Sequence, residues 1–207
     1  MNILSVETTS HIASVAVHEN DLLISKEISD GSIRHAETIL PMIHSALNKA
    51  DINIKDIDLI AVDIGPGSFT GVRIGVSIAN ALAYSNSIPI LGIYSLDALR
   101  YASPSDHYVC PLIDAKNDNS YGCLFKGDTL ILDMGIWNTE EIVSRCPEET
   151  IYIGDVTPLC IDITYPDAEM LGRYAFIHHN KSTNRVMPCY FRQSQAERNK
   201  MEVNNDR

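Results

Sequence analysis

Residues 63–75 read Asp-Ile-Gly-Pro-Gly-Ser-Phe-Thr-Gly-Val-Arg-Ile-Gly and join a short apolar run, 58–64, to a segment of helix length, 70–84. Glycines at such a junction permit positive φ angles and close backbone approach, and Ser68 or Thr70 can cap the helix that follows. A continuous apolar run that ends at Gly-Pro-Gly is typical of a buried parallel strand. These residues predict a strand followed by a helix in an α/β protein.

The sequence before this unit predicts a meander of strands and a helix. Runs rich in Ile and Val at 2–8, 12–18 and 22–28 indicate three antiparallel strands. Apolar residues at helical spacing then predict a helix: Ile39, Ile43, Ala46, Leu47 and Ala50. With a strand at 88–93 and a short helix at 95–101, residues 1–102 are expected to form a first lobe with a mixed sheet.

A smaller second lobe is predicted for residues 103–192, with a flexible tail at 193–207. Its strands are expected at 108–114, 121–125, 129–137 and 150–153, and its helices at 140–145 and 167–178. Lys126-Gly127-Asp128 predicts a hairpin turn between two of these strands.

Composition limits the classes of function. The 207 residues carry a formal net charge of −11, which opposes autonomous binding of nucleic acid. From Arg173 onward the sequence contains seven Lys or Arg and three Asp or Glu, so this segment has a net positive charge. It is either a solvated tail or a contact for RNA or an acidic partner. The five cysteines are widely spaced and include no Cys-x-x-Cys motif, so we interpret them as small buried hydrophobic residues. The N-terminus carries no leader pattern, and we therefore expect a cytoplasmic protein that does not enter membranes.

Two segments could hold a phosphate group. The glycine-rich residues 63–75 match neither a P-loop, since no Lys-Ser/Thr follows Gly71, nor the dinucleotide fingerprint. Phosphate binding and a tight turn that brings the helix close to the sheet both remain open. Glu7, Thr8 and Thr9 could hold phosphate and a metal ion at a strand junction, or could simply form a hairpin turn.

The helix after the glycine-rich segment carries a stripe of small residues at four-residue intervals: Gly71, Gly75, Ala79 and Ala83. Most of its remaining surface is apolar, so it should be buried on both sides, and the small residues allow another helix to approach closely. The second layer could be the helix near Ile39, a partner subunit, or both. We interpret the stripe as a partner surface.

The sequence resembles the TsaB (YeaZ) family over nearly its whole length. The matching motifs are Ile-Leu-Ser-Val-Glu-Thr-Thr-Ser at 3–10, His-Ala-Glu-Thr-Ile-Leu-Pro at 35–41, the glycine-rich segment, Ile-Pro-Ile-Leu-Gly at 88–92, Leu-Asp-Ala-Leu at 96–99, Ile-Asp-Ala at 113–115 and Pro-Cys-Tyr-Phe-Arg at 188–192. The resemblance implies an actin-like, Hsp70-like α/β fold with two ribonuclease-H-like lobes and mixed sheets, the second lobe being reduced.

The resemblance also implies a function. It indicates a non-catalytic subunit for N6-threonylcarbamoylation of adenosine 37, 3′ to the anticodon, in tRNAs that read ANN codons. The expected partners are the catalytic relative TsaD and the ATPase TsaE, with tRNA met only through the complex, and a homodimer when the chain is isolated. No cofactor is expected in the chain itself, although ATP or ADP with magnesium could bind at the subunit junction. The alternative is an ATP-dependent small-molecule kinase of the same fold.

Site residues follow from the same resemblance. The metal-binding His-x-x-x-His of TsaD falls on Ser95 and Leu99 here, and neither can replace imidazole at a metal ion, so no catalytic residue and no metal site are expected. A vestigial nucleotide site is expected at Glu7, Thr8, Thr9, Asp63, Gly65 and Gly67. The partner interface is expected at Ile39, Leu40, Ile43, Leu47, Gly71, Val72, Gly75, Val76, Ala79 and Ala83.

Overall fold

The computed structural model describes residues 1–31, 35–103, 106–160 and 162–191. A first sheet has the strand order β3-β2-β1-β4-β5. Its strands are β1 (Asn2–Glu7), β2 (Ser14–Glu19), β3 (Leu22–Ile28), β4 (Leu59–Asp63) and β5 (Ile90–Ile93). Strand β2 lies antiparallel to both β1 and β3, whereas β4 lies parallel to both β1 and β5. The predicted meander and mixed sheet are confirmed.

A second sheet repeats this arrangement with one strand fewer, in the order β8-β7-β6-β9. Its strands are β6 (Tyr108–Lys116), β7 (Asn119–Lys126), β8 (Thr129–Asn138) and β9 (Ile151–Gly154). The turn between β7 and β8 comprises Gly127 and Asp128, as the sequence predicted. Two mixed sheets with the same order, the second one smaller, confirm the actin-like α/β fold.

Helices cover both faces of the first sheet. They are α1 (His35–Ala50) and α2 (Phe69–Asn86) on one face and α5 (Ala168–His178) on the other. Helix α3 (Ser95–Arg100) packs between the two sheets, α4 (Thr139–Arg145) packs on the second sheet, and short 3₁₀ turns lie at Ile54–Asp56 and His179–Lys181. Because neighbouring residues of a strand face opposite sides, Leu4 and Val6 pack in the cluster that α1 and α2 cover, and Ile3 packs in the cluster on the other side.

Helix α5 corrects the predicted division of the chain at residue 102. The sequence assigned this helix to the second lobe, but Leu171 and Ala175 pack with Ile3 of the first sheet. The chain continues along the same sheet, where Thr183 forms a β-bridge with Ile90. Hydrophobic contact between α5 and β1, which is distant in sequence, determines this placement, and no local sequence pattern predicts it. The predicted flexible tail, 193–207, lies outside the described residues.

Candidate functional site

A cluster of polar side chains lies buried at the carboxyl ends of β1 and β4. Glu7 Oε1 accepts hydrogen bonds from Thr9 N, from Thr9 Oγ1 at 2.7 Å and from Ser10 N at 3.1 Å. Asp63 Oδ1 accepts from Gly65 N at 2.8 Å and from Ser95 Oγ at 2.7 Å. The structure therefore brings together Glu7, Thr9 and Asp63, which the sequence had predicted as parts of one site.

Burial changes the acidity of both carboxyl groups. Desolvation raises the pKa of Asp63 to about 7, although hydrogen bonds from Gly65, Ser95 and Thr9 oppose the shift. Desolvation, followed by repulsion from Asp63, raises the pKa of Glu7 well above its usual value. Since Glu7 Oε2 is buried and has no hydrogen-bond partner among the described residues, the pair favours a shared proton over two negative charges.

The glycines of residues 63–75 serve close packing against the end of β1. A Cβ at Gly71 would overlap the carbonyl oxygen of Thr8, and one at Gly67 would lie 2.5 Å from the carbonyl oxygen of Thr9. Thr8 Oγ1 donates to the carbonyl of Gly71 at 2.7 Å, and Ser68 caps α2 by accepting from Gly71 N. The structure shows the tight turn that brings the helix to the sheet, and phosphate binding by this segment stays a prediction.

An open cleft of about 930 Å³ lies next to this cluster, between residues contributed by both sheets. Among the described residues, the lining of the cleft includes one lysine and one arginine, and both are already engaged. Lys116 Nζ forms an ion pair with Asp114 at 2.5 Å, and the Arg73 guanidinium lies 3.9 Å from the centre of the Phe69 ring. The cleft therefore offers little free positive charge to a phosphate group.

The predicted partner interface requires a correction. Nine of its ten residues are buried within the chain itself, and Leu40 alone is exposed. The small residues of α2 face inward because the helix must approach Thr8 closely, and Ile39, Ile43 and Leu47 of α1 pack into the same core. In this structure the stripe is covered by the chain's own sheet and cannot contact a partner directly.

The outward surface of the same two helices has a different set of residues. In α1 it presents Leu40, which is 52% exposed, and in α2 it presents Tyr84, which is 89% exposed. The α2 side also includes exposed Ser77 and Ala81 with partly buried Ile74 and Ile78. We call Leu40, Ile74, Ser77, Ile78, Ala81 and Tyr84 the outer face. Sequence periodicity identified the helices correctly, but not which of their sides would turn inward.

Ser95 and Leu99, the positions aligned with the metal-binding histidines of TsaD, are both fully buried in α3. Ser95 bonds to Asp63, and Leu99 packs with Val109 and Ile153. Within the described residues, no group of three or more His, Cys, Asp or Glu side chains could hold a metal ion. None of the helices in this part of the chain has the length and hydropathy to cross a bilayer.

Comparison with known proteins gives consistent results. Residues 29–136 match the family model described as TsaD, tRNA N6-adenosine threonylcarbamoyltransferase. The sequence is 32% identical to the tRNA threonylcarbamoyladenosine biosynthesis protein TsaB of Bacillus subtilis over 75% of this chain and 64% of the relative. It is 34% identical to the TsaB protein of Buchnera aphidicola over 69% of this chain and 67% of the relative. The chain thus spans about two thirds of the length of these relatives.

Solved structures support the same fold. A protein from Pseudomonas aeruginosa described as similar to peptidase YeaZ matches with a TM-score of 0.80 over 92% of this chain and 99% of that one. A second structure, YeaZ from the same organism, matches with a TM-score of 0.78. Both share 23% sequence identity with this chain, so they establish the fold.

Proposed function

The chain belongs to the family of the tRNA threonylcarbamoyladenosine biosynthesis protein TsaB, and on this premise we propose that it is a non-catalytic subunit in N6-threonylcarbamoylation of adenosine 37 in tRNAs that read ANN codons. The observation that carries the proposal is the similarity of about 30% identity to several TsaB proteins over most of the chain. The role as scaffold and activator of TsaD, with TsaE as a further partner, is part of the proposal.

Two buried positions support a non-catalytic role. The histidines of the catalytic relative would fall on Ser95 and Leu99, where this chain has a hydroxyl group bonded to Asp63 and an aliphatic side chain in the core. Burial of both positions leaves neither room for a metal ion nor a ligand for one. The transferase chemistry would then belong to TsaD, and this chain would act by binding to it.

The outer face of α1 and α2 is the surface that we propose for TsaD. Its exposed apolar residues, Leu40 and Tyr84, are the kind of side chain that a partner buries at an interface. The chain itself matches the TsaD family model over the residues that include both helices, so each protein would contribute a similar helix pair related by pseudo-two-fold symmetry. The same surface would allow a homodimer in the absence of TsaD.

Nucleotide binding is proposed only at the junction of the assembled subunits, as ATP or ADP with magnesium. The cleft of this chain alone has its basic residues Lys116 and Arg73 engaged, and Glu7 and Asp63 are buried beneath it. An autonomous small-molecule kinase would need those carboxylates exposed to magnesium and substrate. Calorimetric titration of the isolated chain with ATP and magnesium distinguishes the two functions, since tight binding would favour the kinase.

Reconstitution tests the proposed function. The cognate TsaD, TsaE and threonylcarbamoyl-adenylate synthase are incubated with tRNA, threonine, bicarbonate and ATP, with and without this chain, and threonylcarbamoyladenosine is measured. We expect product only when the chain is present, and expect it to persist with the Asp114→Ala variant, whose carboxylate lines the cleft. Equal product without the chain would overturn the proposal.

A further inference from the structure

The segment that follows α5 is bonded to the first sheet near both of its ends. Thr183 exchanges two backbone hydrogen bonds with Ile90 of β5, each of 2.8 Å. Farther along, Cys189 N donates to the carbonyl oxygen of Ile64, the residue after β4, at 2.8 Å. We call residues 182–191 the strap. Because the sheet holds it at two points, the strap has a defined position in the first lobe.

Two side chains of α2 hold the strap against the helix. Asn80 Nδ2 donates to the carbonyl oxygen of Val186 at 2.9 Å, and Val186 N donates to Asn80 Oδ1 at 3.0 Å. Two turns earlier in α2, Arg73 Nε donates to the Tyr190 hydroxyl at 2.9 Å. The Tyr190 ring also stacks on Phe69, with 4.6 Å between the ring centres. The strap therefore runs alongside α2, in the direction opposite to the helix.

The strap borders the outer face. Since successive residues of an α-helix are about 100° apart, Tyr84 lies about 40° and Ser77 about 60° around α2 from Asn80. Ile74 and Ile78 lie farther round, and both pack against the cluster that contains the buried residues of α1. The outward side of α2 is thus flanked by α1 on one side and by the strap on the other. A partner that covers this side of α2 meets both.

Met187 is the apolar side chain that the strap presents beside this surface. Its neighbour Val186 packs against the core cluster under α2, whereas Met187 is 62% exposed. Methionine is enriched at protein interfaces, because its flexible thioether adapts to the partner. A stable interface takes roughly 20–30 residues from each protein, many more than the outer face contains. A partner on the outer face must therefore bury neighbouring residues, and Met187 is one of them.

We propose that the strap forms part of the surface that binds TsaD, with Met187 as its apolar contact. The inference rests on the proposed function, in which TsaD packs a similar helix pair against α1 and α2. The strap lies outside residues 29–136, the range that matches the TsaD family model. Its contact with TsaD therefore does not follow from the similarity of the two helix pairs, and it adds a contact of its own to the interface.

Oxidation of Met187 tests the contact without any substitution. A brief pulse of hydrogen peroxide converts exposed methionine to its sulfoxide, and peptide mass spectrometry measures the rate at Met187 in the full chain. With saturating cognate TsaD, this rate should fall at least about fivefold, because a thioether packed in an interface is shielded from solvent. An unchanged rate in the complex would overturn the inference.

Met187→Glu places a charge at the proposed contact and should weaken capture of TsaD at least about tenfold. The matched control is Leu22→Glu. Leu22 is 65% exposed but lies on β3, at the edge of the first sheet opposite to β5 and the strap. The control should therefore capture TsaD as the natural chain does. Both variants should keep the thermal unfolding temperature, because both side chains are exposed.

Asn80→Ala tests whether the strap must be held in place. The variant loses both hydrogen bonds to Val186, so the amide hydrogen of Val186 should exchange with solvent at least about tenfold faster. Capture of TsaD should weaken about threefold, since a strap that moves must be ordered again on binding. Faster exchange with unchanged capture would contradict the proposal.

The outcomes separate this inference from the proposed function. Failure of the natural chain to bind TsaD would overturn both. Loss of capture in Ala81→Arg, together with full capture in Met187→Glu, would overturn the inference alone, because TsaD would then bind the outer face without the strap. If Met187→Glu lost self-association but kept full capture of TsaD, the strap would belong to a contact between two copies of this chain, which would also overturn the inference.

Discussion

The carboxylates of Glu7 and Asp63 face one hydroxyl group, because Thr9 Oγ1 lies 2.7 Å from Glu7 Oε1 and 3.2 Å from Asp63 Oδ2. Both groups are buried, and the pKa of Asp63 is raised from 3.8 to about 7. Between these values the folded state binds more protons than the unfolded state, so stability falls as pH rises. The free energy of unfolding should decrease by about 1 kcal/mol per pH unit for each such group.

Urea unfolding between pH 5 and 8 checks this expectation, with the Asp63→Asn variant as reference. The neutral amide removes one titrating group, so the variant should lose less stability than the natural chain as pH rises. If both proteins show the same dependence on pH, the raised pKa of Asp63 would be contradicted.

The buried His18 side chain should make the free energy of unfolding depend on pH in the opposite direction at lower pH. Its ring is buried against Gly172, neither ring nitrogen has a partner among the described residues, and desolvation lowers its pKa from 6.5. Below pH 6.5 the unfolded state binds a proton that the folded state resists, so stability should fall as the solution becomes more acidic. In His18→Phe this loss should shrink, whereas His44→Gln, at an exposed position of α1, should behave like the natural chain.

Gly71 should tolerate no side chain. A methyl group there would overlap the carbonyl of Thr8, which belongs to the backbone at the end of β1 and cannot move freely. We expect Gly71→Ala to destabilise the fold by about 3 kcal/mol, despite the gain of about 1 kcal/mol in helix propensity. Gly135→Ala, whose nearest neighbour is 3.5 Å away, should change the unfolding free energy by less than about 1 kcal/mol. Chemical denaturation of both variants measures the difference.

Two alanines of α2 separate folding from partner binding. Ala79 is fully buried and Ala81 is exposed on the outer face. Arginine at Ala79 should place a charge in the core and unfold the chain, whereas Ala81→Arg should keep the thermal unfolding temperature and weaken capture of TsaD at least about tenfold. Retention of full TsaD capture by a folded Ala81→Arg variant would mean that the partner binds elsewhere.

Local patterns in the sequence were sufficient for the elements, but not for their orientation. Alternating and helical spacings located the strands and helices, and the glycines of residues 63–75 indicated a close approach. The side of α2 that turns inward could not be deduced, because Gly71 and Gly75 could equally admit a partner helix or the chain's own Thr8. Only the three-dimensional placement of β1 decides between them.

Contacts between distant residues were missed for a related reason. No local pattern indicated that His18 would lie against Gly172, because the two residues belong to elements far apart in the chain. A weak signal existed for this contact, since a glycine inside a predicted helix suggests that something bulky packs against it.

The return of α5 to the first sheet affects the order in which the molecule can mature during synthesis. Strand β1 leaves the ribosome early, but the residues that cover Ile3 on one side, Leu171 and Ala175, are translated near the end. One face of the first sheet therefore stays uncovered, with its apolar side chains exposed, until the second sheet has been translated. A ribosome stalled after β9 would hold a chain in which β1 is complete but still lacks the α5 residues that cover Ile3. Chaperones would be expected to bind this exposed apolar face.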